Sequence, residues 1–170
     1  RLGANVRYFT ALGQDPFSDE MLQSWVQEGL DTSLVLRDPA RLPGLYAIRT
    51  DDRGERSFYY WRQQAAARQL FRMPGIDAAL KSAAQTDLLY LTGITLSLFD
   101  ATERRRWVEL ATQVRRQGGQ VAFDPNYRPK GWASAAEARA AMESMAPLIS
   151  ILLTTNDDEK LLFGHSRTMD

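Results

Sequence analysis

DLLYLTG (87–93), QVAFD (120–124) and LISILLT (148–154) decide the fold class. Each is a nearly continuous apolar run of strand length, and each is followed by a segment with helical patterning. Parallel strands covered by helices on both faces read as unbroken apolar runs rather than alternating ones. Strands that alternate with helices in this way imply an α/β fold: a right-handed, doubly wound, mostly parallel sheet with helices on both faces. The helices carry their own signals. Asp100 with Glu103, Ser134 with Glu137 and Asn156 with Glu159 have capping-box spacing. Trp107, Ala111 and Val114 form an apolar face on the helix after Asp100, and Gly118-Gly119 ends it. Met142 and Met145 lie on the next helix, which Pro147 ends.

Upstream, Val6 to Leu12 reads as a strand closed by Gly13. Asp15-Pro16 then opens a helix, with Asp as cap and Pro at a position where no amide proton is needed. Phe17, Met21 and Trp25, flanked by Leu22 and Val26, recur with helical spacing and predict one buried stripe; Gly29 is the stop. Residues 31–62 change character. LVLR, LYAIRT and RSFYYWR are short β-branched or aromatic runs, with the turn signal Asp51-Asp52-Arg53-Gly54 between the last two. They predict a small antiparallel sheet inserted among α/β units. There is no internal repeat, low-complexity tract or long linker.

Composition narrows the chemistry. In 170 residues, 21 Lys and Arg balance 21 Asp and Glu, so there is no basic excess for nucleic acid. With no cysteine and one histidine, disulfides, thiolate metal sites, cysteine nucleophiles and multi-histidine metal sites are excluded. No apolar run approaches the ~20 residues that span a bilayer. RLGANVRYF has no signal-peptide character. The expectation is a soluble, cytoplasmic protein that binds neither nucleic acid nor membrane. The chain begins at Arg1 without a Met, as a fragment of a longer protein would.

In doubly wound sheets, ligands sit beyond the carboxyl ends of the strands. The residues expected there are Thr92-Gly93, then Asp124-Pro125-Asn126-Tyr127-Arg128, then Thr154-Thr155-Asn156. Neither G-x-G-x-x-G nor G-x-x-x-x-G-K-[ST] occurs, so a Rossmann dinucleotide site or P-loop finds no support. His165, in a polar tail, offers no catalytic triad. In FDPNYRP (123–129), Arg128 suits a bidentate bond to phosphate or carboxylate. The same residues also suit a capped turn in which Asp124 and Asn126 bond local amides. NDDE (156–159) fits a magnesium–phosphate role for Asn156 and Glu159, and equally an ordinary cap. In FYYWR (58–62), alternation puts Phe58, Tyr60 and Arg62 on one face and Tyr59 and Trp61 on the other. A phenol beside a guanidinium suits an anionic, hydroxylated ligand; an aromatic strand packed on a core is the plainer reading. Arg104-Arg105-Arg106 reads as a solvated helix face, and Asp51-Asp52 as part of a loop with nothing to support a metal site.

Together, ALGQDPFSDEM, PGLYAIRTDDRGERSFYYWR, DLLYLTGITLSL, VAFDPNYRP and ILLTTNDDEKLLFG occur in an order that resembles the ribokinase-like sugar kinases, over essentially the whole chain. GERSFYYWR and FDPNYRPKGW most resemble the 2-keto-3-deoxygluconate branch. The resemblance implies one partial domain over 1–170, with residues 31–62 in a β-sheet lid. It implies sugar-acid contacts by Tyr46, Tyr60 and Arg62, with Trp61 of the same segment as a further substrate-side candidate. It places Arg128 where substrate and nucleotide phosphates meet, with Asn126 beside it. It gives Asn156 and Glu159, through the family's N-x-x-E motif, the task of organising phosphate and magnesium.

The implied reaction is phosphorylation of 2-keto-3-deoxygluconate with ATP and Mg2+. A fructokinase of the same fold, and a non-catalytic sugar-acid-binding module, are the alternatives. The family's first strand and Gly-Gly segment would precede Arg1. Its G-A-G-D anion hole, with the catalytic Asp, would follow Asp170. No G-x-G-D occurs in these residues, so by themselves they are expected to be inactive. Ser18 stands where the wider family usually has Gly. The lid edge suits a homodimer. Strand geometry adds one sharp expectation. If Tyr46 sits opposite Tyr60, then Ile48 faces Phe58, residues 51–55 form the loop, and Tyr46, Tyr60 and Arg62 share a face.

Overall fold

Short strands pair in parallel in both halves of the chain, seen in a computed structural model that describes residues 3–164. His165 lies outside the described residues. The chain divides into two compact units, Arg1–Ser82 and Ala83–Asp170.

In the first unit, β1 (Thr10–Gly13) runs parallel to β2 (Val35–Asp38), with Thr10 opposite Val35 and Gly13 opposite Asp38. Between them lies α1 (Pro16–Gln27), where the Asp15 carboxylate accepts the amide protons of Phe17 and Ser18. Gly29, at φ 82°, turns the chain after the helix in the left-handed region that glycine adopts freely. The first strand is shorter than the expected 6–12, because upstream of Thr10 only a single bridge joins Arg7 to Asp31.

The expected stripe on α1 is not buried. Phe17 is 68% exposed, Met21 and Val26 are exposed, and Trp25 is half-buried with its ring 4.7 Å from that of Tyr8. Helical spacing marks a face, but a face is buried only where another element covers it. The buried residue of α1 is Ser18, whose hydroxyl accepts from the Gly13 amide and donates to Asp15 at 2.6 Å.

LVLR is also placed differently from expectation. It pairs with β1 in parallel, so the antiparallel sheet consists of the hairpin β3 (Leu45–Thr50) and β4 (Arg56–Trp61) alone. Its loop is a side-chain-capped turn. One Asp51 carboxylate oxygen accepts the amides of Arg53 and Glu55, and Gly54 takes φ 82°. The unit closes with a 3-10 turn over Ala66–Arg72 and α2 (Ile76–Ala83).

The second unit holds a parallel sheet of β5 (Leu88–Thr92), β6 (Gln120–Asp124) and β7 (Ile151–Leu152), in that spatial order. The central strand is buried most fully: Val121, Ala122 and Phe123 are shielded, while on the flanking strands Leu91 is buried and Leu88, Tyr90, Ile151 and Leu152 are exposed. The helices are α3 (Gly93–Ser97), α4 (Ala101–Arg116), α5 (Ala135–Met145) and α6 (Asn156–Phe163). Trp107, Ala111 and Val114 of α4 form the buried face that their spacing predicts, and Leu110 is buried as well. The Asp100–Glu103 capping box forms reciprocally. Ser134 accepts the Glu137 amide, while the Glu137 side chain returns to Ala133.

Arg104 departs from the expected solvated face. It is 9% exposed, donates to the Leu96 carbonyl and pairs with Glu137 at 2.8 Å. The helix turns this first arginine of the run inward and leaves Arg105 exposed. No helix among the described residues is long and apolar enough to cross a membrane.

Leu110→Ala is expected to cost about 2–5 kcal/mol of stability by the cavity it opens, and Phe17→Ala to stay within about 0.5 kcal/mol; urea denaturation of the 170-residue chain measures both. The pH dependence has a sign as well. The Ala133 amide, and then the Arg104 guanidinium, hold the Glu137 carboxyl below its ordinary value. A depressed folded value means the contribution is complete above the ordinary glutamate range and is lost as pH falls below it. Glu137→Gln should therefore flatten stability against pH on the acid side, followed by denaturation across that range.

Candidate functional site

One carboxylate gathers the polar residues beyond β6 and β7. Asp158, in the first turn of α6 and 8% exposed, accepts the Tyr127 amide at 2.9 Å through Oδ1. The same oxygen lies 3.5 Å from Arg128 Nη1, an ion pair rather than a short hydrogen bond. Its Oδ2 accepts the Thr155 hydroxyl at 2.8 Å, and the Thr155 oxygen in turn accepts the Asp158 amide.

Thr155, not Asn156, is thus the cap of α6. This corrects the reading of Asn156 and Glu159 as a capping box. The T-x-x-D spacing of Thr155 and Asp158 does that work, which leaves Asn156 exposed at the helix start and Glu159 one turn in. Sequence reasoning passed over Asp158; the [ST]-x-x-[DE] cap signal was available for it.

The other end of the loop is equally constrained. Asp124, ending β6, accepts the Asn126 amide at 3.0 Å and the Tyr90 hydroxyl at 3.3 Å. Loss of water around the phenol, and then the Asp124 charge, push the Tyr90 hydroxyl above its ordinary value. Asn126 takes φ 36°, a region that asparagine tolerates better than most residues. Its side-chain oxygen is buried with no partner among the described residues. Gly93 lies against this loop so closely that a Cβ would fall 2.0 Å from the Pro125 carbonyl oxygen. Arg128 keeps 61% of its side chain exposed while Nη1 donates to the Tyr127 carbonyl. The capped turn and an outward-facing guanidinium therefore coexist: the backbone is locked and the cation is presented.

In the first unit, the hairpin has the expected register. Tyr46 faces Tyr60, and Ile48 faces Phe58. The rings of Tyr46, Phe58 and Tyr60 lie 6.2–6.5 Å apart, and the Arg62 guanidinium stands 4.4 Å over the Tyr60 ring. Two phenols and one guanidinium share an exposed face. Trp61, opposite Leu45, belongs to the other face and does not join them. Arg68 was not singled out from the sequence. Burial, and then repulsion from Arg62, lower its guanidinium from the ordinary value, so a second cation lies within electrostatic reach of Arg62.

The pattern of the pfkB family carbohydrate kinases matches residues 1–170. The chain belongs to this family. It is 46% identical over 160 residues to a 2-dehydro-3-deoxygluconokinase of Dickeya dadantii, covering 94% of this chain and 52% of that protein. It is 44% identical over 165 residues to the Escherichia coli K12 enzyme of the same name, covering 97% and 53%. A fructokinase of Vibrio alginolyticus is more distant, 27% identical over 163 residues, covering 96% and 50%. Among solved structures, the PfkB protein from Polaromonas sp. JS666 superposes with a TM-score of 0.83 at 25% identity, covering 98% of this chain and 55% of that one. A fructokinase from Xylella fastidiosa with bound ATP shares the fold, with a TM-score of 0.78 at 23% identity, covering 96% and 50%. The chain spans about half the length of the relatives it matches.

Asp158→Ala should leave the Tyr127 amide without its acceptor and cost about 1–3 kcal/mol. Asp158→Asn, which keeps a carbonyl oxygen, should cost less. Denaturation curves, with hydrogen exchange at the Tyr127 amide, separate the two variants.

Proposed function

We propose that the polypeptide containing these residues phosphorylates 2-keto-3-deoxygluconate on its terminal hydroxyl, using ATP and magnesium. The observation that carries this reading is the lid face of Tyr46, Tyr60 and Arg62, in a chain 44–46% identical to 2-dehydro-3-deoxygluconokinases. A carboxylate-bearing sugar acid suits that face: the guanidinium pairs with the acid, and the phenols bond its hydroxyls. Arg128, exposed on a rigid loop, is suited to an anionic oxygen of substrate or nucleotide, and Asn126 belongs to the same turn. ATP is bound in the Xylella fastidiosa fructokinase structure.

The oxygen donors Asn156 and Glu159 fit a hard cation. No group of three acidic or imidazole side chains among the described residues could hold a metal alone, so these two would act on magnesium together with water and phosphate oxygens. Magnesium would supply charge neutralisation at the phosphates. The base that takes the hydroxyl proton is expected beyond Asp170. A cytoplasmic setting and a homodimer formed through the exposed hairpin belong to the same proposal.

Three outcomes are expected. The 170 residues by themselves should form no ADP in a coupled assay with ketodeoxygluconate; signal above background would overturn the assignment of the catalytic base to residues outside them. In the longer polypeptide, Arg128→Ala should cut kcat/KM by the equivalent of about 2–5 kcal/mol, with Arg128→Lys restoring part; near-unchanged efficiency would leave Arg128 with a turn-capping role only. Arg62→Ala should weaken ketodeoxygluconate far more than fructose. Equal losses on the acid and the neutral sugar would move the reading to a fructokinase.

A further inference from the structure

We infer that Arg104 is a positioning residue for Arg128, acting through Trp132 and the loop that joins them; the inference rests on the anion-binding role proposed for Arg128. The guanidinium of Arg104 is used on three sides. Its Nε donates to the Leu96 carbonyl at the end of α3 at 3.0 Å. Its Nη1 pairs with Glu137 Oε1 in the first turn of α5 at 2.8 Å. Its central carbon stands 4.7 Å from the centre of the Trp132 ring. The second oxygen of Glu137 accepts the Ala133 amide at 2.9 Å, so the chain just after Trp132 is held by the same ion pair.

Trp132 is buried and comes four residues after Arg128. The residues between form a tight 3-10 turn, Pro129–Gly131, in which the Gly131 amide bonds the Arg128 carbonyl at 2.8 Å. A Cβ on Gly131 would lie 3.0 Å from Ser97 Oγ, so this end of the loop is pressed against α3. Upstream, the Tyr127 amide is fixed on Asp158. The main chain of Arg128 is thus pinned one residue before by Asp158 and four residues after by Arg104. Its own side chain is mostly solvent-facing, with Nη1 on the Tyr127 carbonyl and 3.5 Å from Asp158, so its aim follows the placement of this backbone.

Burying a guanidinium costs more than filling the space with an apolar side chain. Stability alone is a weak reason for Arg104 to be there. A planar cation that stacks on an indole while bonding a carboxylate and a carbonyl specifies one placement of the loop, and a lysine cannot reproduce it.

The first test needs no ligand. Amide hydrogen exchange is measured in the 170-residue chain for wild type, Arg104→Lys and Arg104→Met. Exchange at Gly131 and Trp132 should rise at least tenfold in Arg104→Lys, while Val114 in the middle of the core keeps its protection. Unchanged loop exchange in a folded variant overturns the inference. So does loss of protection throughout in both variants, which would make Arg104 a core residue and nothing more.

The second test is a double-mutant cycle in the longer polypeptide, with ketodeoxygluconate and ATP as substrates. Arg104→Lys should lower kcat/KM about tenfold in the wild-type background and less than twofold where Arg128 is already Ala. Equal falls in both backgrounds overturn the inference. If Arg128→Ala itself leaves kcat/KM unchanged, the reading of Arg128 fails instead, and the exchange experiment still decides whether Arg104 holds the loop.

Discussion

The Asp158 carboxylate is the point on which the second unit's polar end depends. It accepts from the Tyr127 backbone, from the Thr155 hydroxyl and, at longer range, from Arg128. These groups belong to two segments that are thirty residues apart in the chain. The carboxylate is almost wholly shielded, so each of its bonds replaces water that cannot return. It also sits at a helix N-terminus, where the peptide dipoles favour a negative charge. Remove it and the loop after β6 and the start of α6 lose their common anchor. Arg128, Asn156 and Glu159 would then be carried on two segments that no longer share a reference.

Two kinds of sequence signal proved readable for different reasons. The lid register followed from period-two alternation and a five-residue loop, since a single slip would have turned Tyr46 away from Tyr60. Local geometry settles such a question without reference to the rest of the molecule. The buried face of α4 was readable because the helix packs on a central strand that is itself covered, and Trp107, Ala111 and Val114 are buried. The stripe on α1 is helically spaced too, yet Phe17 stands in solvent. Spacing states which residues share a side of a helix; only the neighbouring elements state whether that side is buried.

The polar positions were harder, because hydroxyls and carboxylates offer several equivalent arrangements. Thr155 and Asn156 are both fit to cap a helix, and the choice of Thr155 decides that Asp158 turns inward and Asn156 outward. The three consecutive arginines differ for a similar reason. A helix rotates by about 100° per residue, so adjacent members of one run meet different surroundings, and Arg104 finds Trp132 and Glu137 where Arg105 finds solvent. The family resemblance located the candidate site residues, but not the groups that hold them. Asp158 and Arg104 emerged only from the three-dimensional contacts.

The contact between Gly93 and the Pro125 carbonyl has a consequence for how this chain can change over generations. Every replacement of that glycine brings a carbon into space already held by main-chain oxygen. The codon is therefore closed to gradual exploration. Positions such as Tyr46 and Tyr60 on the exposed hairpin face carry no such constraint, because their side chains stand largely in solvent. The glycine holds the loop that carries Arg128 at a fixed distance from the strand end while exposed positions of the chain remain open to change.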